Sequence, residues 1–184
     1  MVRLSIMGRH NVLNAMVALA VADLSGVPLS GAVKCLAAFT GFQNRQQVMQ
    51  KHGITVIDDT YNASPVSMKA GLEVLEATAK GRRIAVLADM KELGPDSPKF
   101  HYEVGSWMKS HPVDILFTYG ELAEQIARGA KRAGMKAEYI HFEENRRDAL
   151  AEAIRAKLQP GDCVLLKGSN SMKLGEVAAK LLKD

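Results

Sequence analysis

The sequence predicts an α/β fold: a mostly parallel sheet with helices on both faces, preceded by a helical segment that has no sheet of its own. Three observations carry this reading. Apolar strand-like runs recur at residues 54–58, 83–87, 114–118, 137–142 and 162–167. Stretches of helical periodicity about a dozen residues long separate them. Before residue 43 the pattern is helical only. Strands alternating with helices are βαβ units, and right-handed crossovers turn such units into a parallel sheet covered on both sides.

Taken in order, residues 11–24 repeat Ala and apolar residues at helical spacing until Gly26 and Pro28 end the pattern. A second helix follows over 30–39, with Ser30 as its expected cap. Residues 45–51 and 54–58 read as two strands of a hairpin turning at Gly53. Ser64-Pro65 suits an N-cap followed by the first helical position, opening a helix over 66–79. Helices at 99–110, 121–133 and 146–157 then alternate with the strands, and a last helix runs over 171–182.

The chain has 184 residues, enough for one full domain and an appendage. Its formal net charge of +4 and pI near 9.1 come from Lys and Arg spread through the helices rather than clustered. That distribution gives no motive for nucleic-acid binding. No apolar run is long enough to cross a membrane. Cys35 and Cys163 sit among apolar neighbours with no CxxC spacing, which predicts reduced, buried thiols in a cytoplasmic protein. No trio of His, Cys and acids has metal-ligand spacing, so no metal site is expected in this chain. Met68, Met90, Met108 and Met172 read as core filler, and His52, His111 and His141 as exposed.

Chemistry is concentrated at three strand ends. Residues 54–57 run into Asp58-Asp59-Thr60-Tyr61-Asn62-Ala63-Ser64-Pro65; 84–87 run into Ala88-Asp89-Met90-Lys91-Glu92-Leu93-Gly94; 164–166 run into Lys167-Gly168-Ser169-Asn170-Ser171-Met172. In a parallel sheet all three emerge on one edge, where open α/β sheets bind ligands. Asp59, Asp89 and Lys167 can therefore converge. A lysine followed by Gly-Ser suits a carboxylate or phosphate. Blander roles stand beside these: Asp58 can orient the turn, Asp89 can pair with Lys91, and Lys167 can snorkel to solvent. Ser169 or Asn170 can cap the last helix, and His10 and Asn14 can be a cap and a packed polar residue. His101, near a helix start, reads as structural.

Gly8-Arg9-His10-Asn11-Val12-Leu13-Asn14-Ala15, Asn44-Arg45, the DDTYNASPVSM run, ADMKELG with His101 downstream, and KGSNSM occur in an order that resembles the Mur ligase family. The resemblance is strongest to the members that add D-alanyl-D-alanine to UDP-N-acetylmuramoyl-tripeptide in peptidoglycan synthesis. It implies that residues 1–42 are the helical end of a central ATPase domain and 43–184 a Rossmann-like C-terminal domain, with a hinge near 40–44.

It further implies ATP with Mg²⁺ as cofactor, the muramoyl tripeptide and the dipeptide as substrates, and the remaining domains of the same enzyme as partners. His10, Asn11 and Asn14 would lie near the adenine, Arg45 near the phosphates and Asp59 at the ribose hydroxyls. Tyr61, Asn62, Asp89, Lys167, Ser169 and Asn170 would face the peptide substrate or the dipeptide, and none is assigned a catalytic role. No GxxGK[ST] phosphate loop occurs, since Lys80-Gly81-Arg82 and Lys167-Gly168-Ser169 have the wrong order. The Mg²⁺ ligands and carbamylated lysine of the family are expected upstream, so this chain alone is expected to be inactive. Ala88, Asn170 and the residues around Glu176 depart from the family pattern. The alternative reading is a stand-alone small-ligand-binding or interaction module of the same fold without ligase chemistry.

Overall fold

A computed structural model describes residues 2–183 and divides the chain into two compact units, Met1–Phe42 and Gln43–Asp184. The first unit holds α1 (Arg9–Leu24) and α2 (Leu29–Ala38). Both begin without a side-chain cap: α1 starts at Gly8 with φ 98°, and α2 starts behind Pro28, so Ser30 lies inside the helix rather than capping it. Among the described residues of the two helices only Ala15 is buried. Leu13, Met16, Val17, Val21 and Leu24 stand exposed. Cys35 is exposed too, which corrects the expectation of two buried thiols, because α2 has no buried position in which to hide it.

The second unit is built on six strands in the order β1-β2-β6-β3-β4-β5. The strands are β1 (Gln47–Lys51), β2 (Ile54–Asp59), β3 (Arg83–Ala88), β4 (Ile115–Tyr119), β5 (Glu138–Phe142) and β6 (Cys163–Lys167). β1 is antiparallel to β2, and all other pairs are parallel. The helices are α3 (Pro65–Thr78), α4 (Ser97–Trp107), α5 (Glu124–Arg132), α6 (Arg147–Lys157) and α7 (Leu174–Leu181).

Period-two alternation sorts each strand onto two faces. Ile57, Ala85, Leu87, Leu116 and Leu165 join Met68, Leu72, Val104, Met108 and Ile126 in one core, under α3, α4 and α5. Val56, Val86, Phe117, Val164 and Leu166 join Leu150, Ile154, Val177 and Leu181 in the other, under α6 and α7. The methionines named from sequence are core residues, as read. His111 is half-buried and stacked on Trp107 at 3.8 Å rather than exposed.

This layout fixes where a ligand can sit. β2 and β3 are followed by helices on one face, and β6, lying between them, is followed by α7 on the other. Connections leaving neighbouring strand ends for opposite faces open a crevice at the carboxyl edge. Five non-glycine residues have positive φ among those described, and four of them (Asn44, Gln46, Glu92 and Lys173) lie in the loops at this edge. Such strained backbone concentrates at functional sites.

Candidate functional site

Ser64 caps α3 as its chemistry predicts: its hydroxyl accepts from the Ser67 N–H, the Ser67 hydroxyl accepts from the Ser64 N–H, and Pro65 occupies the first helical position. The turn before it is set by Asp58, whose Oδ1 accepts from both the backbone and the hydroxyl of Thr60. Asp58 therefore orients the turn and leaves Asp59 as the residue directed to the crevice.

Asp59 and Lys167 are register partners at the ends of β2 and β6. The Lys167 ammonium donates to Asp59 Oδ2 at 2.7 Å and to the Asn62 carbonyl at 2.9 Å. The Gln46 N–H donates to Asp59 Oδ1 at 3.3 Å. With 2% of Lys167 and 7% of Asp59 exposed, the lysine does not snorkel to solvent. Burial pushes the Asp59 carboxyl above its ordinary value and the Lys167 ammonium below its own, each against the pull of its partner. α3 makes room for the pair with Gly71, where a Cβ would stand 3.1 Å from Lys167 Cδ and 3.5 Å from Asp59 Oδ2.

The segment before β1 closes over this pair. The Asn44 carbonyl accepts from the Tyr61 N–H at 2.9 Å, and the Arg45 guanidinium lies 3.9 Å from the centroid of the exposed Tyr61 ring. A stacked, exposed guanidinium keeps its fork of donors available to an anion.

Beside it a cavity of about 480 Å³ is lined by Tyr61, Asn62, Lys91, Glu92, Ser169, Asn170 and Ser171. Of the residues that the sequence reading sets against a substrate, Tyr61, Asn62, Ser169 and Asn170 line this space. Asp89 and Lys167 do not. Asp89 is fully buried, accepting from the Ala123 N–H at 2.7 Å and the Lys91 ammonium at 2.9 Å, while Lys167 is turned inward to Asp59. The blander pairing of Asp89 with Lys91 is thus what the structure shows. Ser169 does not cap α7; its hydroxyl accepts from the Lys91 N–H, and its own N–H donates to the Asp89 carbonyl.

Glu92 and Ser171 are cavity residues that sequence reasoning passes over, and Lys91 enters it only as a partner for Asp89. Glu92 lies within the ADMKELG loop, so the loop is the only signal it carries. Gly71 does carry one, a glycine inside a helix. His10, Asn11 and Asn14 lie in the first turns of α1 in the other unit. There the Asn11 amide donates to the Met7 carbonyl, and the Asn14 amide to Asn11 Oδ1 at 3.2 Å.

A family model described as "Mur ligase, glutamate ligase domain" matches residues 44–170. The chain belongs to the Mur ligase family. The UDP-N-acetylmuramoyl-tripeptide--D-alanyl-D-alanine ligase of Bacillus subtilis is 36% identical to it over 181 residues, 97% of this chain and 39% of that protein. The crystal structure of MurF from Acinetobacter baumannii superposes with a TM-score of 0.85 at 32% identity, covering 100% of this chain and 39% of that one. MurF ligase from Thermotoga maritima, solved in complex with ADP, gives 0.78 at 26% identity, covering 96% and 38%. This Mur ligase chain therefore spans about two fifths of the length of the relatives it matches. Among its described residues no helix is long and apolar enough to cross a membrane.

Proposed function

We propose that this chain supplies the C-terminal part of an ATP-dependent amide ligase that joins D-alanyl-D-alanine to UDP-N-acetylmuramoyl-tripeptide in peptidoglycan synthesis. The observation that carries the proposal is the strand-end constellation itself: Arg45 stacked on Tyr61 over the Asp59–Lys167 pair, beside a polar cavity at the switch point of a Mur ligase domain. In the reaction an amide bond forms between the tripeptide carboxylate and the dipeptide amine while ATP is split to ADP and phosphate.

The parts of the site take different roles in this reading. Arg45, exposed and oriented, meets nucleotide phosphate. Asp59 retains acceptor capacity toward ribose hydroxyls once Lys167 and Gln46 have fixed it. Tyr61, Asn62, Ser169 and Asn170 contact the peptide side, and Asp89 and Lys167 act beneath them by holding the walls in place. Unit 1 belongs to the ATPase domain, with His10, Asn11 and Asn14 toward the adenine, and its exposed apolar face meets the rest of that domain. Among the described residues no group of three or more His, Cys, Asp or Glu is placed to hold a metal ion, and no step is assigned to Mg²⁺. The domain contributes positioning and charge stabilisation.

The test is a ligation assay on the polypeptide encoded by the complete reading frame, with muramoyl tripeptide, D-alanyl-D-alanine and ATP, reading amide product and ADP. Equal yields of the two are expected, with Asp59→Ala raising the KM for ATP or lowering turnover. Wild-type ATP KM and turnover in Asp59→Ala would remove the ribose role, and no amide from the wild type would remove the reaction.

A further inference from the structure

The turn leaving β3 is held at three consecutive backbone N–H groups by three separate parts of the chain: β4, α4 and the loop after β6. The Asp89 N–H donates to the Tyr119 carbonyl at 3.2 Å, the Met90 N–H to His101 Nε2 at 2.8 Å, and the Lys91 N–H to the Ser169 hydroxyl at 2.9 Å. Only the middle one depends on a titratable side chain.

The ring partners of His101 determine its tautomer. Nδ1 lies 2.7 Å from the Ser97 carbonyl, which can only accept, so Nδ1 carries the proton and Nε2 presents its lone pair to Met90. The ring is fully buried in α4, and that burial lowers its proton affinity and keeps it neutral. Two residues beyond Met90, Glu92 sits in the left-handed region at φ 64°. A glutamate stays there only where its surroundings over-determine the backbone.

We propose that His101 is a positioning residue of the cavity, fixing the Asp89–Glu92 turn through the Met90 N–H and so setting where the Lys91 ammonium and the Glu92 backbone stand on its wall. His101 does not line the cavity itself. Its effect passes through one hydrogen bond to a residue whose two neighbours are anchored separately. Asp89 is held by Ala123 and Tyr119, and Lys91 by Ser169, Asp89 and, at 3.3 Å, Glu144. Where the cavity takes the dipeptide, a statement that rests on the function proposed above, loosening the turn weakens dipeptide binding and spares the chemical step.

Two measurements test this. In the 184-residue chain, amide hydrogen exchange is followed by NMR for wild type, His101→Leu and His101→Gln. Leucine fills the space without an acceptor, whereas a glutamine Oε1 can reach the position of Nε2. In His101→Leu the Met90 and Lys91 amides are expected to exchange about tenfold faster, the worth of one buried hydrogen bond. The Val104 and Ile126 amides should keep their protection, and His101→Gln should restore most of the loss at Met90. Unchanged exchange at Met90, a uniform loss along α4, or no rescue by glutamine would each overturn the proposal.

In the complete ligase, His101→Leu is expected to raise the KM for the dipeptide about tenfold with kcat within about twofold, and His101→Gln to reverse it. A fall in kcat at unchanged KM would overturn the link to binding. A wild-type enzyme without ligase activity would refute the reaction and not the positioning role, which the exchange experiment decides on its own.

Discussion

Replacing Lys167 by methionine asks what the buried pair is for. The substitution keeps most of the aliphatic stem but removes the ammonium that donates to Asp59 Oδ2 and the Asn62 carbonyl. Asp59 is left with one backbone donor, the Gln46 N–H at 3.3 Å, in a position with 7% exposure. An uncompensated charge at such a site costs about 3–5 kcal/mol. Asp59→Asn combined with Lys167→Met removes both charges, and the double variant should lie within about 1 kcal/mol of wild type.

The pH dependence has a defined sign. A carboxyl whose folded value is raised adds stability that is fully present below its unfolded value and lost as pH rises through the folded one. A depressed ammonium adds stability present above its unfolded value and lost as pH falls through its folded one. Asp59 is raised and Lys167 lowered, both chiefly by desolvation, so at neutral pH each ion is held at a net cost. Without Lys167 the carboxyl rises further, and the defect of Lys167→Met should shrink as pH drops from 7 toward 5. Urea unfolding read by fluorescence of Trp107, the single tryptophan, gives each free energy by linear extrapolation. A loss below about 1 kcal/mol in Lys167→Met at pH 7, or a double variant as unstable as the single, would refute the argument.

Two further outcomes follow from the packing. α4 and α5 meet at Gly105 and Gly129, where a Cβ would stand 1.9 Å from the Ile126 carbonyl and 2.1 Å from the Tyr102 carbonyl. Gly129→Ala should therefore cost more than about 2 kcal/mol in the same unfolding assay, because backbone cannot yield as a side chain does; a loss under about half that would mean the helices slide apart freely. Cys163 is buried, its thiol pushed up to about 11, while Cys35 is exposed. A thiol reagent should titrate one cysteine in the native chain and both in denaturant, and rapid native reaction of both would contradict the burial of β6.

The central strands β2, β3, β4 and β6 were readable because each is a short, mainly apolar run closed by polar residues, and the start of α3 because Ser64-Pro65 carries its own capping chemistry. Ser30 has the same chemistry but loses the cap position to Pro28, two residues earlier, so that the helix begins at Leu29. Asp59, Asp89 and Lys167 could be placed on one edge from topology alone. Their directions could not, since nothing local to Lys167 says that β6 inserts beside β2 and delivers its ammonium to Asp59. Asp89 turns inward because Ala123, distant in sequence, and Lys91, two residues on, both claim its oxygens. Cys35 has apolar neighbours in sequence, yet neighbours along a helix do not bury a side chain when no other element covers it.

The position of β6 also orders events in time. It is the last strand in the chain, yet it occupies the slot between β2 and β3, which are made long before it. A chain emerging from synthesis holds the two outer walls of the site with no strand joining them, and contacts of such high sequence separation form slowly. Lys167 reaches Asp59 only when that final strand has been admitted. The cavity is therefore a late product of folding, present only in molecules whose sheet has been completed from its middle.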